Sequence, residues 1–174
     1  YFKNKNWMFN LNAAFSRVEG SKKAIENTQR SSARYYQRPD NDYTDLDTNR
    51  TSLSGSGGRM QIIKLNGHCN LLLATLWKTP GFETNDLGYI RVADQLMNIL
   101  WAGYNQWEPK GIYNRFNINS ALYTTYNFGG DLIGKGFEWH ANINLKNYWN
   151  AWTGGNLSGA SLSTGMLRGG PMMK

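Results

Sequence analysis

Apolar and polar residues alternate one by one along most of this chain, which is the period of an extended strand with one greasy and one wet face. The stretch KGFEWHANINLKNYWNAW, residues 135–152, shows it best: Phe137, Trp139, Ala141, Ile143, Leu145, Trp149 and Ala151 fall on one side. Glu138, His140, Asn142, Asn144, Lys146 and Asn150 fall on the other. The pattern predicts one strand over 135–152, whose greasy face needs a cover, either a second sheet or lipid.

The same period predicts the rest of the strands. Residues 6–18 set Trp7, Phe9, Leu11, Ala13 and Phe15 against Asn10, Asn12, Ala14 and Ser16. A second strand, about 52–65, opens with the glycine-rich SGSGG; Asn66-Gly67 signals a two-residue type I′ hairpin, and HCNLLLATLWK returns as a third strand. Residues 95–107 form a fourth, with apolar residues on both faces: Met97, Ile99 and Trp101 on one, Leu96, Leu100 and Ala102 on the other. IYNRFNINSALYTTYNF, 112–128, is the fifth, 135–152 the sixth, and TGGNLSG turns the chain into an incomplete seventh.

Connections sort by length. Those after strands one, three and five are long or moderate, with long loops at about 20–51 and 79–94, while those after strands two, four and six are short. The first long loop carries SKKAIENTQRSSARYY, a helix signal with Ser21 as N-cap, ahead of Pro39 and the acidic DNDYTDLD. Alternating long and short connections are how an up-and-down outer-membrane barrel is built. Strand length agrees, since a tilted membrane strand needs about nine to eleven residues, whereas sandwich strands usually run about five or six. The wet faces are rich in Asn, Thr, Tyr, Lys and Glu, which suit a hydrated lumen and would be unpaired in a dry core. The expected fold is all-β: one segment, 1–174, of an antiparallel up-and-down transmembrane β-barrel, incomplete at about seven strands. A soluble β-sandwich binding module is the alternative.

Composition narrows the function classes. The chain has 174 residues, seven Trp, ten Tyr and seven Phe, an aromatic content suited to interfacial girdles. No run reaches the eighteen or so apolar residues that a membrane helix needs. The formal net charge is +7, yet the basic residues are scattered rather than gathered into a stripe, so nucleic acid is not an expected partner. Cys69 is the only cysteine and lies in a strand pattern, so a packed thiol is expected. With no leader at its start, and an unfinished-looking last segment, the chain reads as part of something longer.

Four phrases carry a resemblance: RSSARYYQRPD (30–40), RTSLSGSGG (50–58), PGFETNDLGYIRVAD (80–94) and SLSTGMLRGGP (161–171). They resemble the C-terminal domain, of unknown function, of Gram-negative envelope proteins whose N-terminal domain is like a family 9 carbohydrate-binding module. The resemblance implies a bacterial outer-membrane β-barrel, in some members described as a membrane-associated hydrolase. It brings no set of catalytic residues.

Candidate chemistry sits in the two long loops. Arg30, Arg34, Tyr35, Tyr36 and Arg38 in the first, with Phe82, Glu83, Asn85, Asp86, Tyr89 and Arg91 in the second, mix aromatic planes with groups able to make paired hydrogen bonds. Glycan or peptide capture uses that mixture. The competing expectation is that one loop folds inward as a plug, laid against a wall thinned by Gly55, Gly57 and Gly58. Asp40, Asp42, Asp45 and Asp47 are a weak Ca²⁺ candidate, lacking the glycine and bidentate Glu of a known calcium loop; their simpler role is a solvated loop pairing with Arg30, Arg34 and Arg38. Glu83 with Asp86, or Asp94 with Glu108, are acid and base by type only. The expected function is therefore non-enzymatic: an outer-membrane barrel that binds or passes a ligand, a glycan being the first choice, or serves as a subunit of an envelope complex. Its expected partners are outer-membrane lipid, glycan and other outer-membrane or periplasmic subunits, with no cofactor. A barrel anchoring a surface hydrolase is the alternative.

Overall fold

A computed structural model describes residues 1–85 and 88–174. Seven strands form one antiparallel sheet in which every strand pairs with its neighbours in sequence: β1 (Trp7–Glu19), β2 (Ser52–Lys64), β3 (Cys69–Lys78), β4 (Gln95–Gln106), β5 (Tyr113–Tyr126), β6 (Leu132–Leu145) and β7 (Asn150–Ser158). Helix α1 (Lys22–Arg30) lies between β1 and β2. The sheet is open, with β1 and β7 as its edges. Connections 65–68, 107–112 and 146–149 gather at one end, and 20–51, 79–94 and 127–131 at the other. The up-and-down order is the one expected, and the two long loops share an end, but the third connection there, 127–131, is no longer than 107–112 opposite.

Cross-strand partners share a face, so the register divides the side chains cleanly. One face takes Phe9, Leu11 and Phe15 of β1, Met60 and Ile62 of β2, Leu71 and Leu73 of β3, Leu100 of β4, Ile118 and Leu122 of β5, Phe137 and Trp139 of β6 and Leu157 of β7. All of these are exposed. The other face takes Asn10, Asn12, Gln61, Asn70, Asn105, Asn117, Asn119, Glu138, His140 and Asn142, and it also carries the long loops. The mixed pattern of β4 resolves here: Met97, Ile99 and Trp101 lie half-buried on the loop-bearing face beside Leu72 and Ala74, while Leu96 and Leu100 lie on the bare one.

Five expectations change. The stretch 135–152 is two strands, because the chain turns at 146–149, where Tyr148 takes φ +67, and TGGNLSG belongs to β7 rather than to a turn. Local alternation continued across the turn and hid it; Trp149 therefore sits in the turn. The β2–β3 hairpin is not a two-residue type I′ loop: it spans 65–68, and of Asn66 and Gly67 only Gly67 has a positive φ, +88. Cys69 is exposed rather than packed, since it opens β3 on the bare face opposite Tyr104. Gly58 faces away from the loops, and a Cβ there would meet Trp77 and the Asn12 carbonyl.

Helix α1 ends where its sequence stops favouring it. Ser21 Oγ accepts the Ala24 N–H at 3.2 Å, Ile25 and Gln29 four residues apart form the buried side, and Glu26 pairs with Lys23 and Arg30 on the wet side. Ser31 closes the helix, its N–H and hydroxyl both donating to the Thr28 carbonyl.

Candidate functional site

The second long loop lies backbone-first on β2. A Cβ on Gly55 would sit 2.2 Å from the Phe82 nitrogen, and one on Gly81 would sit 2.1 Å from the Ser54 carbonyl, so only glycine at both positions permits this approach. Thr79 N–H donates to the Ser56 carbonyl and Ser56 N–H to the Thr79 hydroxyl, each at 2.8 Å. Glu83 N–H donates to Ser16 Oγ at 2.9 Å and reaches β1. The Phe82 ring fills the space above Gly57 and packs with Ile90 and Ala93 in a small core.

Onto this base the first long loop docks through Arg34. Its side chain, 1 % exposed, meets the Glu83 carboxylate at 2.8 Å and donates to the Pro80 and Phe82 carbonyls at 3.2 and 2.5 Å. The guanidinium fork is spent on the 79–83 turn, and a buried charge so fully bonded fixes geometry. Ala93 N–H donates to the Ala33 carbonyl at 2.9 Å, joining the two loops by backbone as well. Gln29, fully buried, uses its carboxamide like a strand partner for Asp47, donating to its carbonyl and accepting its N–H, both at 2.9 Å.

A second knot lies above. Arg38 donates to the Tyr43 hydroxyl at 3.2 Å and faces Asp40 at 3.7 Å; Tyr43 in turn donates to Asp94, whose other oxygen accepts the Phe128 N–H at 2.9 Å. Burial first, then the hydrogen bond to Asp94, raises the Tyr43 phenol well above its ordinary value. Burial likewise pushes Tyr36 up to about 12. The last stretch of chain closes over the top: Met172 N–H donates to Asp40 at 2.6 Å, and Ser163 bridges Met173. Between the loops and this stretch is a hollow of about 320 Å³ lined by Ser32, Tyr35, Arg34, Arg38, Asp94, Ser161, Ser163 and Thr164 among others.

The structure brings together part of the predicted set. Arg34, Tyr36, Arg38 and Phe82 are buried, and Glu83 is held by Arg34. Tyr35, with φ +50, lines the hollow beside Arg34 and Arg38. Arg30, Tyr89 and Arg91 are exposed elsewhere, Arg30 on Glu26; exposed Asn85 closes its own loop by accepting the Ile90 N–H at 3.0 Å. Asp86 lies outside the described residues. Of the acidic cluster, Asp40 faces Arg38, Asp47 faces Arg50 at 4.0 Å, and Asp42 and Asp45 are exposed. Arg38 is thus the one arginine of the three expected partners that the cluster engages, Arg30 and Arg34 being taken by Glu26 and Glu83. Among the described residues no three His, Cys, Asp or Glu side chains converge as a metal-holding group. Gly55 and Gly57 do receive the loop, as their spacing on one face of a strand requires. Ser161, Ser163, Thr164 and Tyr43 are site residues that the sequence does not single out, and Asp94, an acid by type there, is a hydrogen-bond acceptor for Tyr43 here; no periodicity says that residues 161–164 return to meet 32–38.

Fold and interior together define the class, an all-β protein built as an open antiparallel meander with its own long loops folded onto one face. More particularly, the chain belongs to the family of a domain of unknown function, DUF5916, whose model matches residues 2–163. No curated protein and no solved structure matches it.

Proposed function

We propose that this chain is a segment of a bacterial outer-membrane β-barrel, its lumen filled at the long-loop end by a plug of residues 20–51 and 79–94, serving the binding or passage of a ligand, a glycan by first choice. The observation that carries the proposal is the bare face. Leu11, Leu73, Ile118 and Leu122, from β1, β3 and β5, are 56 %, 53 %, 52 % and 50 % exposed on one side of one sheet. A contiguous apolar face of that extent is not left to water. Lipid is the cover that also explains why the opposite face is amide-rich and why the strands run to 9–14 residues, long enough to cross about 25 to 30 Å when tilted. Edges β1 and β7 then pair with further strands, since a lipid-exposed edge leaves backbone groups unpaired. Subunits of an envelope complex are the natural neighbours of such a barrel. Of the four carboxylates nominated for hydrolysis, Glu83 and Asp94 are engaged with Arg34 and with Tyr43 and the Phe128 amide, which favours a non-enzymatic role; Glu108 is exposed in the 107–112 connection at the other end of the sheet, and Asp86 lies outside the described residues.

The test uses two successive residues of β5. Ile118→Arg, on the bare face, should destabilise the protein folded into lipid vesicles by about 2–4 kcal/mol, and Asn119→Arg, on the loop-bearing face, by little. Equal tolerance at both, or a wild-type protein that folds and stays dissolved without detergent, would sink the membrane assignment.

A further inference from the structure

The loop-bearing face continues beyond the loops along β5, β6 and β7, and there it holds a second hollow of about 320 Å³, lined by Glu138, His140, Trp152, Gly154, Gly155 and Asn156. The register sets its rows: Asn142 opposite Trp152, His140 opposite Gly154, and Glu138 opposite Asn156. Gly154 creates the hollow, because a Cβ there would lie 2.6 Å from His140 Nδ1, so the imidazole lies across the glycine and forms the floor. The Trp152 indole stands at one end, 79 % exposed, and a carboxylate and a carboxamide stand side by side at the other. Amides extend the wall sideways, with Asn117 opposite Asn142 and Asn119 opposite His140.

We propose that this hollow binds two linked pyranose units of a neutral oligosaccharide. The proposal rests on the barrel assignment, which puts this face in water. A pyranose has an apolar C–H face and a rim of hydroxyls, each both donor and acceptor. The indole offers the flat apolar surface, Glu138 accepts, Asn156 donates and accepts, and His140 does one of each. An anionic ligand is disfavoured, since among the described residues lining the hollow the one formal charge is the Glu138 carboxylate. A lone ammonium is disfavoured too: Glu138 and Trp152 stand two rows apart, about 13 Å of strand, too far to grip one cation together. That span suits two linked sugar rings. A strand added at the β7 edge leaves the site open, because it pairs in the plane of the sheet while these side chains stand perpendicular to it.

Isothermal titration of the detergent-folded protein with maltohexaose, cellohexaose and chitohexaose tests the site. At least one should bind at a single site. Trp152→Ala should weaken it by about tenfold, and Glu138→Gln and Asn156→Ala by about three- to tenfold each, while Trp149→Ala, an equally exposed indole in the β6–β7 turn, should leave it unchanged. The two polar variants carry the test if Trp152→Ala fails to fold. The site is overturned if none of the three sugars binds the folded wild type, if Trp149→Ala weakens binding as much as Trp152→Ala, or if choline binds there instead. Vesicle insertion is scored separately: an inserted protein that ignores all three sugars removes this site alone, and a sugar-binding protein that never inserts removes the barrel and keeps the site.

Discussion

Gly55 is where a single added methyl group should do the most damage for its size. Its Cβ would lie 2.2 Å from the Phe82 nitrogen, 2.5 Å from the Gly81 carbonyl carbon and 2.6 Å from the Phe82 Cα, all backbone atoms of a turn that cannot rotate away. Gly55→Ala must therefore push the 79–83 turn off β2. Overpacking of this kind costs about 1–3 kcal/mol, and the upper end applies because the paired Thr79–Ser56 hydrogen bonds, worth about 1 kcal/mol each net, stretch with it. A cost near 3 kcal/mol raises the population of the undocked loop about a hundredfold. Hydrogen exchange reads this directly. The Thr79 N–H, bonded to the Ser56 carbonyl, and the Glu83 N–H, bonded to Ser16 Oγ, should lose about two orders of magnitude of protection together. Gly57→Ala should cost less, because the atoms met there belong to the Phe82 ring, which can swing. Gly88→Ala, whose Cβ would meet nothing within 4 Å among the described residues, should cost nothing through contact with them. Protection of Thr79 and Glu83 in Gly55→Ala within a few-fold of wild type would refute the backbone-on-backbone docking.

The buried ion pair and the phenol give two more tests. Arg34→Met strands a Glu83 carboxylate that is 9 % exposed, and should destabilise the protein by about 3–5 kcal/mol in urea unfolding, with Arg34→Met/Glu83→Met recovering most of the loss; a single variant no worse than the double would show that the pair is not desolvated. Tyr43 has a folded value raised above the unfolded phenol near 10, so its neutral form is favoured in the fold. Its contribution is complete below about pH 10 and lost as pH rises further, toward the folded value. Proteolysis of the 20–51 loop across pH 8–12 should show accelerating cleavage above about pH 10, and Tyr43→Phe should shift or flatten that rise; an identical profile in the variant would show that the Tyr43 hydroxyl does not hold the loop.

Much of the architecture was legible because a strand writes its two faces directly into the chain. Phe9, Leu11 and Phe15 against Asn10, Asn12 and Ser16 state a bare face and a loop-bearing face before any coordinates are known. Loop lengths state the up-and-down order, and Ser21 states where α1 starts. Alternation is blind to a turn that preserves its phase, so the pattern runs straight through 146–149 and sets Trp149 on a strand. Glycines at 55, 57 and 58 promised a close approach, but parity along the strand decided that Gly55 and Gly57 meet the loop and Gly58 meets Trp77.

The sequence alone therefore determined the first five strands, the two faces of the sheet, the up-and-down order and the two loops that carry the unusual chemistry, since each of these is a one-dimensional pattern read over a few neighbouring residues. Only the tertiary structure decided that Arg34 serves Glu83 and the 79–83 turn, that Tyr43 bridges Arg38 and Asp94, and that 161–173 returns to Asp40. It alone showed Trp152, His140, Gly154, Glu138 and Asn156 around one hollow. Those partners lie up to 132 positions apart along the chain. Their meeting is set by the register between strands and the path of the loops, which depend on long-range packing and leave no periodic trace in the order of the residues.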